Sequence, residues 1–209
     1  MANKTLMAYI KSLKKPIFST DELSRVSGKS RSAVSQGLSF LLRQGLITRV
    51  SHGLWYEGNV SPSLYLAVPY LLRKQRAYVS FTSALHIYGI IEQIPQSVTL
   101  ASVAHTRKIR TAIGVFVVHR ISPHFFKGFN WHKSGMDFLI AEPEKALADC
   151  FYVSAYKGKR FSYFPELYFP RDFSFSKVRN WIKEIKNPRV RIYAAKQLDE
   201  IIKIHGKSS

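Results

Sequence analysis

The sequence predicts an α+β protein in two parts. Three amphipathic helices and a β-hairpin occupy residues 1–58, and a mixed α/β region fills 59–209. Three observations carry this division. Apolar residues recur at helical spacing through the first 45 residues, broken by cap and stop signals. Two β-prone runs joined through Gly53 then follow at once. Past the polar stretch Asn59-Val60-Ser61-Pro62-Ser63, strand-like and helix-like runs alternate.

Leu6, Ile10 and Leu13 at i, i+4 and i+7 form one stripe on a first helix that ends before Pro16; Ile17-Phe18 is a short extended piece. Ser19-Thr20-Asp21-Glu22 reads as a capping box: Ser19 can accept from the amide of residue 22, and Glu22 can reach back to the amide of Ser19. Phe18 and Leu23 are placed as a hydrophobic staple, Leu23 and Val26 are expected to face inward, and Gly28 stops the second helix. Ser30 opens a third helix that runs to Gln44, with Gly45 beyond it. Val34, Leu38, Leu41 and Leu42 gather on one side, with Gly37 near that inner face, where a missing side chain lets helices approach. Leu46–Val50 and Leu54–Tyr56, joined by Ser51-His52-Gly53, read as a hairpin. Helix, helix, helix, hairpin is the order of a winged helix-turn-helix.

In the second part, Ser63 is expected to cap a helix through Val68 that bends at Pro69 and continues to about Lys74. Tyr78-Val79-Ser80 is extended, and Phe81 to Tyr88 is helical with Gly89 as its stop. Ser97–Val103 and Val115–Ile121 are β-branched strands, and Asp137–Ala141 is another. Phe125–Phe129 reads as a hairpin with Lys127-Gly128 at its turn, or as a loop. A helix starts at Glu142-Pro143, its apolar face built from Ala146, Leu147, Cys150, Phe151 and Val153. Two more follow, Ser176–Ile185 and Arg189–Ile204, divided by Asn187-Pro188.

Thirty-two Lys and Arg against 13 Asp and Glu give a formal net charge of +19, which points to a polyanionic partner. The excess is not concentrated: residues 1–58 hold nine Lys/Arg and three Asp/Glu, a net of +6, and the remainder carries +13. One cysteine, Cys150, excludes an intrachain disulfide and a cysteine zinc finger. The start of the chain lacks the apolar core of a signal peptide, and the most apolar stretch, Leu64–Leu72, falls short of a membrane span and contains Pro69. The expectation is a soluble cytoplasmic protein.

The outer face of the third helix carries Ser32, Ser35, Gln36, Ser39 and Arg43 and no acid. Short hydroxyls let a helix backbone approach the floor of the major groove. Gln and Arg can pair bidentately with adenine and guanine edges. Lys29, Ser30 and Arg31 at the helix start suit phosphates, helped by the positive helix end. Arg49, Ser51 and His52 belong to the hairpin, beside the phosphate backbone or minor groove. The expected partner is double-stranded DNA, two copies of the protein meeting an inverted-repeat operator. Arg107, Lys108 and Arg110, in a connection between strands, are a second candidate phosphate site, or a solvated loop. Lys157, Lys159, Arg160 and Arg171 interleave with Phe161, Tyr163, Phe164, Tyr168 and Phe169. That pattern fits either base stacking on a single strand or packing against the second part, and packing is the reading adopted.

Several segments, in order, resemble the AbiEi family, the antitoxins of type IV (abortive infection) toxin–antitoxin systems. They are Gly45–Val50 with Gly53–Tyr56, Tyr78–Gly89, Ser97–Ala101 and Ala141–Asp149. The resemblance spans roughly residues 5–155. It implies a DNA-binding autorepressor whose second part opposes a nucleotidyltransferase-like toxin in antiviral defence, without a stable complex. The alternative is a stand-alone winged-helix transcription regulator with a ligand-sensing or dimerising second part.

Enzyme chemistry finds little support. Gly28-Lys29-Ser30 lacks the earlier glycine of a phosphate-binding loop, since Leu23 stands there. Asp137, Glu142, Glu144 and Lys145 miss the spacing of a nuclease metal site, with Pro143 where the acid belongs; Glu142 and Glu144 favour a helix N-terminus, and Lys145 can pair with Asp149 at i, i+4. His119 and His124 lack ligand spacing, His86 is a core or surface histidine, and Cys150 a small buried hydrophobe. No catalytic residue, metal or cofactor is expected.

Overall fold

The computed structural model describes residues 4–58, 62–72, 75–132, 138–156 and 164–205. Its architecture is mixed α+β, with eight α-helices and two sheets among those residues. The chain divides into two compact units: residues 1–73 with 110–114, and residues 74–109 with 115–209. The sequence reading ends the first part at residue 58; the first unit also takes in Leu64–Leu71 and the tip of a later hairpin.

In the first unit, α1 (Leu6–Ser12) is capped by the Thr5 hydroxyl, which accepts from the amide of Ala8 at 3.2 Å. β1 (Ile17–Ser19) leads into α2 (Thr20–Ser27), which starts on the expected capping box: the Ser19 hydroxyl accepts from the Glu22 amide at 3.1 Å, and the Glu22 carboxylate from the Ser19 amide at 2.9 Å. Gly28 ends the helix at φ +68°, a left-handed conformation that costs a side chain energy and costs glycine little. α3 (Arg31–Arg43) is capped by Ser30. β2 (Ile47–Ser51) and β3 (Leu54–Glu57) form the hairpin, and β1 pairs with the free side of β3, giving the order β1-β3-β2. The core joins Ile10, Phe18, Leu23, Val34, Leu38, Leu41, Ile47 and Trp55. A Cβ on Gly37 would sit 2.6 Å from Leu6 Cδ2, so the missing side chain does admit α1.

Two inward assignments are corrected. Val26 is half exposed, because each three-residue step from Thr20 through Leu23 rotates about 60° away from the core. Leu42 lies at the edge of the α3 stripe, roughly 70° from its centre, and is also exposed. The segment after Ser63 is a 3-10 turn, Leu64–Ala67, running into the single turn α4 (Val68–Leu71); no Ser63 side-chain cap forms, and the helix stops before Leu72.

The second unit is built on a six-stranded sheet of order β6-β7-β5-β4-β9-β8: β4 (Ala77–Val79), β5 (Val98–Ser102), β6 (Arg107–Thr111), β7 (Gly114–Arg120), β8 (Phe129–Trp131) and β9 (Leu139–Ala141). β4 runs antiparallel to β5 and parallel to β9; β5 runs parallel to β7. The helices are α5 (Phe81–Ile87), α6 (Pro143–Tyr156), α7 (Phe175–Lys183) and α8 (Pro188–His205), and α6 packs against the other three. Asn187 caps α8, its Oδ1 accepting from the amides of Arg189 and Val190. Phe125 to Phe129 is no hairpin: Pro123–Phe125 is a 3-10 turn, and Lys127-Gly128 is loop leading into β8. Asp137, Lys157, Lys159, Arg160, Phe161 and Tyr163 lie outside the described residues. Of the remaining tail aromatics, Phe164 meets Phe151 edge-on and Phe169 packs on Phe173 and Phe175, while Tyr168 is exposed. No helix among the described residues is long and apolar enough to cross a membrane.

Candidate nucleic-acid interface

α3 presents the polar face anticipated for it. Ser32, Ser35, Gln36, Ser39 and Arg43 are all exposed, within an arc of about 100° opposite Val34 and Leu38. The Ser39 hydroxyl donates back to the Ser35 carbonyl at 2.9 Å, which leaves its lone pairs outward. Ser30 is spent locally: its oxygen accepts from the Ala33 amide at 3.2 Å, so it holds the helix start. Arg31 is held by Asp21 on α2, Nε to Oδ1 at 3.2 Å, and the Lys29 carbonyl accepts from the Ser24 hydroxyl at 2.7 Å. The turn between α2 and α3 is thereby fixed from both sides, with exposed Lys29 at its apex. Phe40, 52% exposed, flanks the polar arc and was not anticipated from periodicity.

The hairpin is anchored to α2. The Trp55 indole N–H donates to the Thr20 hydroxyl at 2.9 Å, and the Thr20 amide to the Gly53 carbonyl at 3.0 Å. Pairing slips between Arg49 and Ser51, so Val50 is an extra, buried residue that bends β2. Just before that bend Arg49 is exposed, its guanidinium 5.8 Å from the Trp55 ring centre and 3.3 Å from His52 Nδ1. Ser51 is half-buried and His52 exposed. Arg49 is therefore an oriented cation on a rigid base.

The second basic run is placed differently from the sequence reading. Arg107, Lys108 and Arg110 lie within the strand β6, at the edge of the large sheet, and not in a connection; all three are exposed. Arg107 and Lys108 also border an open groove of about 600 Å³ in the second unit.

The Lys145–Asp149 pair expected from the sequence forms, but sequence reasoning missed that it is buried in a polar cluster. Lys145 and Asp149 form an ion pair across one turn of α6 with both side chains fully buried. Asp149 also accepts from Tyr78 (2.9 Å) and Ser80 (2.7 Å), and the Lys145 ammonium, 3.1 Å from the Tyr78 oxygen, lies 3.9 Å from the centre of the Phe125 ring. Burial pushes Asp149 up and Lys145 down from their ordinary ranges, and the attraction between them opposes both shifts. Burial likewise pushes the Cys150 thiol up, which suppresses the reactive thiolate. Beside the cluster, Phe81 is fully buried at φ +58°, a conformation that surrounding packing must impose. The i, i+4 spacing on a helix apolar nearly all round was the available signal. Closed to solvent and internally satisfied, the cluster holds β4 to α6. No group of three or more His, Cys, Asp or Glu among the described residues could hold a metal ion.

Compared with known proteins, the chain matches no family model and none of the curated sequences.

Proposed function

We propose that the first unit is a winged helix-turn-helix, and that the protein is a sequence-specific transcriptional autorepressor binding inverted-repeat DNA as two copies. The observation that carries this reading is the acid-free, exposed face of α3, set on a fully packed inner face and preceded by the braced Lys29–Arg31 turn. Lys29, Arg31 and Arg49 contact phosphates and fix register; Ser32, Ser35, Gln36 and Arg43 face base edges in the major groove. Ser30 acts by holding the helix start, whose amides favour a phosphate. The protein works by binding and not by catalysis, in the cytoplasm.

We further propose that it is the antitoxin of a type IV toxin–antitoxin system, opposing a nucleotidyltransferase-like toxin through its second unit. The support is the ordered resemblance of Gly45–Tyr56, Tyr78–Gly89, Ser97–Ala101 and Ala141–Asp149 to the AbiEi family. The groove beside β6 favours a second reading, a stand-alone regulator with a ligand-sensing second unit.

Gel shifts on the protein's own upstream region test the DNA reading. Affinity is expected to fall with salt at a slope of about −0.9 per phosphate contact. Gln36→Ala with Arg43→Ala is expected to weaken specific binding roughly ten- to a hundredfold or more, with non-specific binding little changed. Unchanged affinity in that double variant overturns α3 as the reading helix. Co-expression with an adjacent nucleotidyltransferase gene tests the antitoxin reading, with growth rescue the expected result.

A further inference from the structure

The groove in the second unit has a composition that selects a ligand. Val117 and His119, two apart on β7, share one face of the sheet, and Thr99 on β5 stands in register with Val117. Ile91, Gln93, Ile94 and Gln96 line the groove from the connection between α5 and β5. β6 closes one side with Arg107 and Lys108. No carboxylate lines the groove among the described residues. Two acids stand near the lining without belonging to it: exposed Glu92, between Ile91 and Gln93, and Glu166, to which the Tyr168 phenol donates.

We infer that this groove binds a nucleoside monophosphate. Its volume, about 600 Å³, lies within the roughly 300–1,000 Å³ of small-molecule sites. Arg107 and Lys108, both bordering the groove from the edge strand, place cationic charge beside it for one phosphate monoester, which carries about −1.5 to −2 near neutral pH. Ile94, 77% exposed at the rim, together with half-buried Val117, offers apolar surface to the flat face of a base. The carboxamides of Gln93 and Gln96 each present a donor and an acceptor to a base edge. A long polyphosphate would leave charge uncompensated at this site, and a neutral nucleoside would make no use of its cationic border. This inference is independent of DNA binding by the first unit.

Isothermal titration of the full chain with AMP, GMP, CMP and UMP tests it, with adenosine and inorganic phosphate as controls. At least one nucleotide is expected to bind, with adenosine and inorganic phosphate each at least about tenfold weaker. Arg107→Gln with Lys108→Gln, at exposed positions, is expected to lower nucleotide affinity roughly tenfold or more while leaving thermal unfolding unchanged. Gln96→Ala is expected to alter the ranking among the four bases. Failure of all four nucleotides to bind overturns the inference. So does equal affinity for inorganic phosphate, or unchanged affinity in the Arg107/Lys108 variant. Because the first unit is untouched, gel shifts on the same variant separate loss of this site from failure of the DNA reading.

Discussion

α3 and α6 are nearly equal in length, 13 and 14 residues, and they use polar side chains in opposite ways. α3 buries one stripe and turns five polar residues outward. α6 is buried from Glu144 to Ser154 and must satisfy its charges internally. Lys145 and Asp149 pair with each other and with Tyr78, while buried Glu144 accepts from the Ser174 amide at 3.2 Å and faces Lys177. Polar residues on a one-sided helix are free to serve a partner; those on an enclosed helix are committed to the fold.

The sharpest way to break this contrast is to unpair α6. Asp149→Ala leaves the buried Lys145 ammonium without its carboxylate partner, beside the Tyr78 oxygen and aromatic ring faces. The expected loss is about 3–5 kcal/mol of stability, measured by chemical denaturation of the second unit's transition. Replacing the pair together, Lys145→Met with Asp149→Leu, removes both charges and is expected to cost clearly less than Asp149→Ala. If the single variant unfolds no more easily than the parent, the pair is not enclosed as described.

Next in size is the inner face of α3. Leu38 is fully buried, and Leu38→Ala is expected to cost about 2–5 kcal/mol by removing core contacts and leaving a cavity. Ser19→Ala comes below it, at about 1 kcal/mol, because it deletes one half of a local capping box. Thermal unfolding of the first unit ranks the two; the reverse order would mean that α2 depends on its cap more than the core depends on α3.

The same contrast explains what the sequence made legible. The capping box, the Gly28 stop and the Val34, Leu38 and Leu41 positions of the α3 stripe depend on residues within a few positions of one another, and each is found where the pattern placed it. Val26 and Leu42 failed because they sit at stripe edges, where the depth of the neighbouring elements decides exposure. The basic run Arg107–Arg110 hid a strand, since an edge strand with exposed cations lacks the apolar signature of β5. The buried state of Lys145 depends on α5, α7 and α8 closing round α6, and the groove joins residues 82 to 165. Neither can be read from local spacing.

The smallest expected effect is the most discriminating. Ser35 is exposed on the outer arc of α3, and its backbone carbonyl accepts from the Ser39 hydroxyl. Ser35→Ala keeps that carbonyl and improves helix propensity, so its stability change is expected to stay within about 0.5 kcal/mol. If the residue serves only solvent, operator affinity is unchanged as well. If α3 lies in the major groove, the hydroxyl is exchanged for a methyl against base edges, and affinity for the specific site shifts while non-specific affinity holds. Measuring stability and both affinities on this one variant separates a solvated helix face from a reading face, since only the second changes specificity without changing the fold.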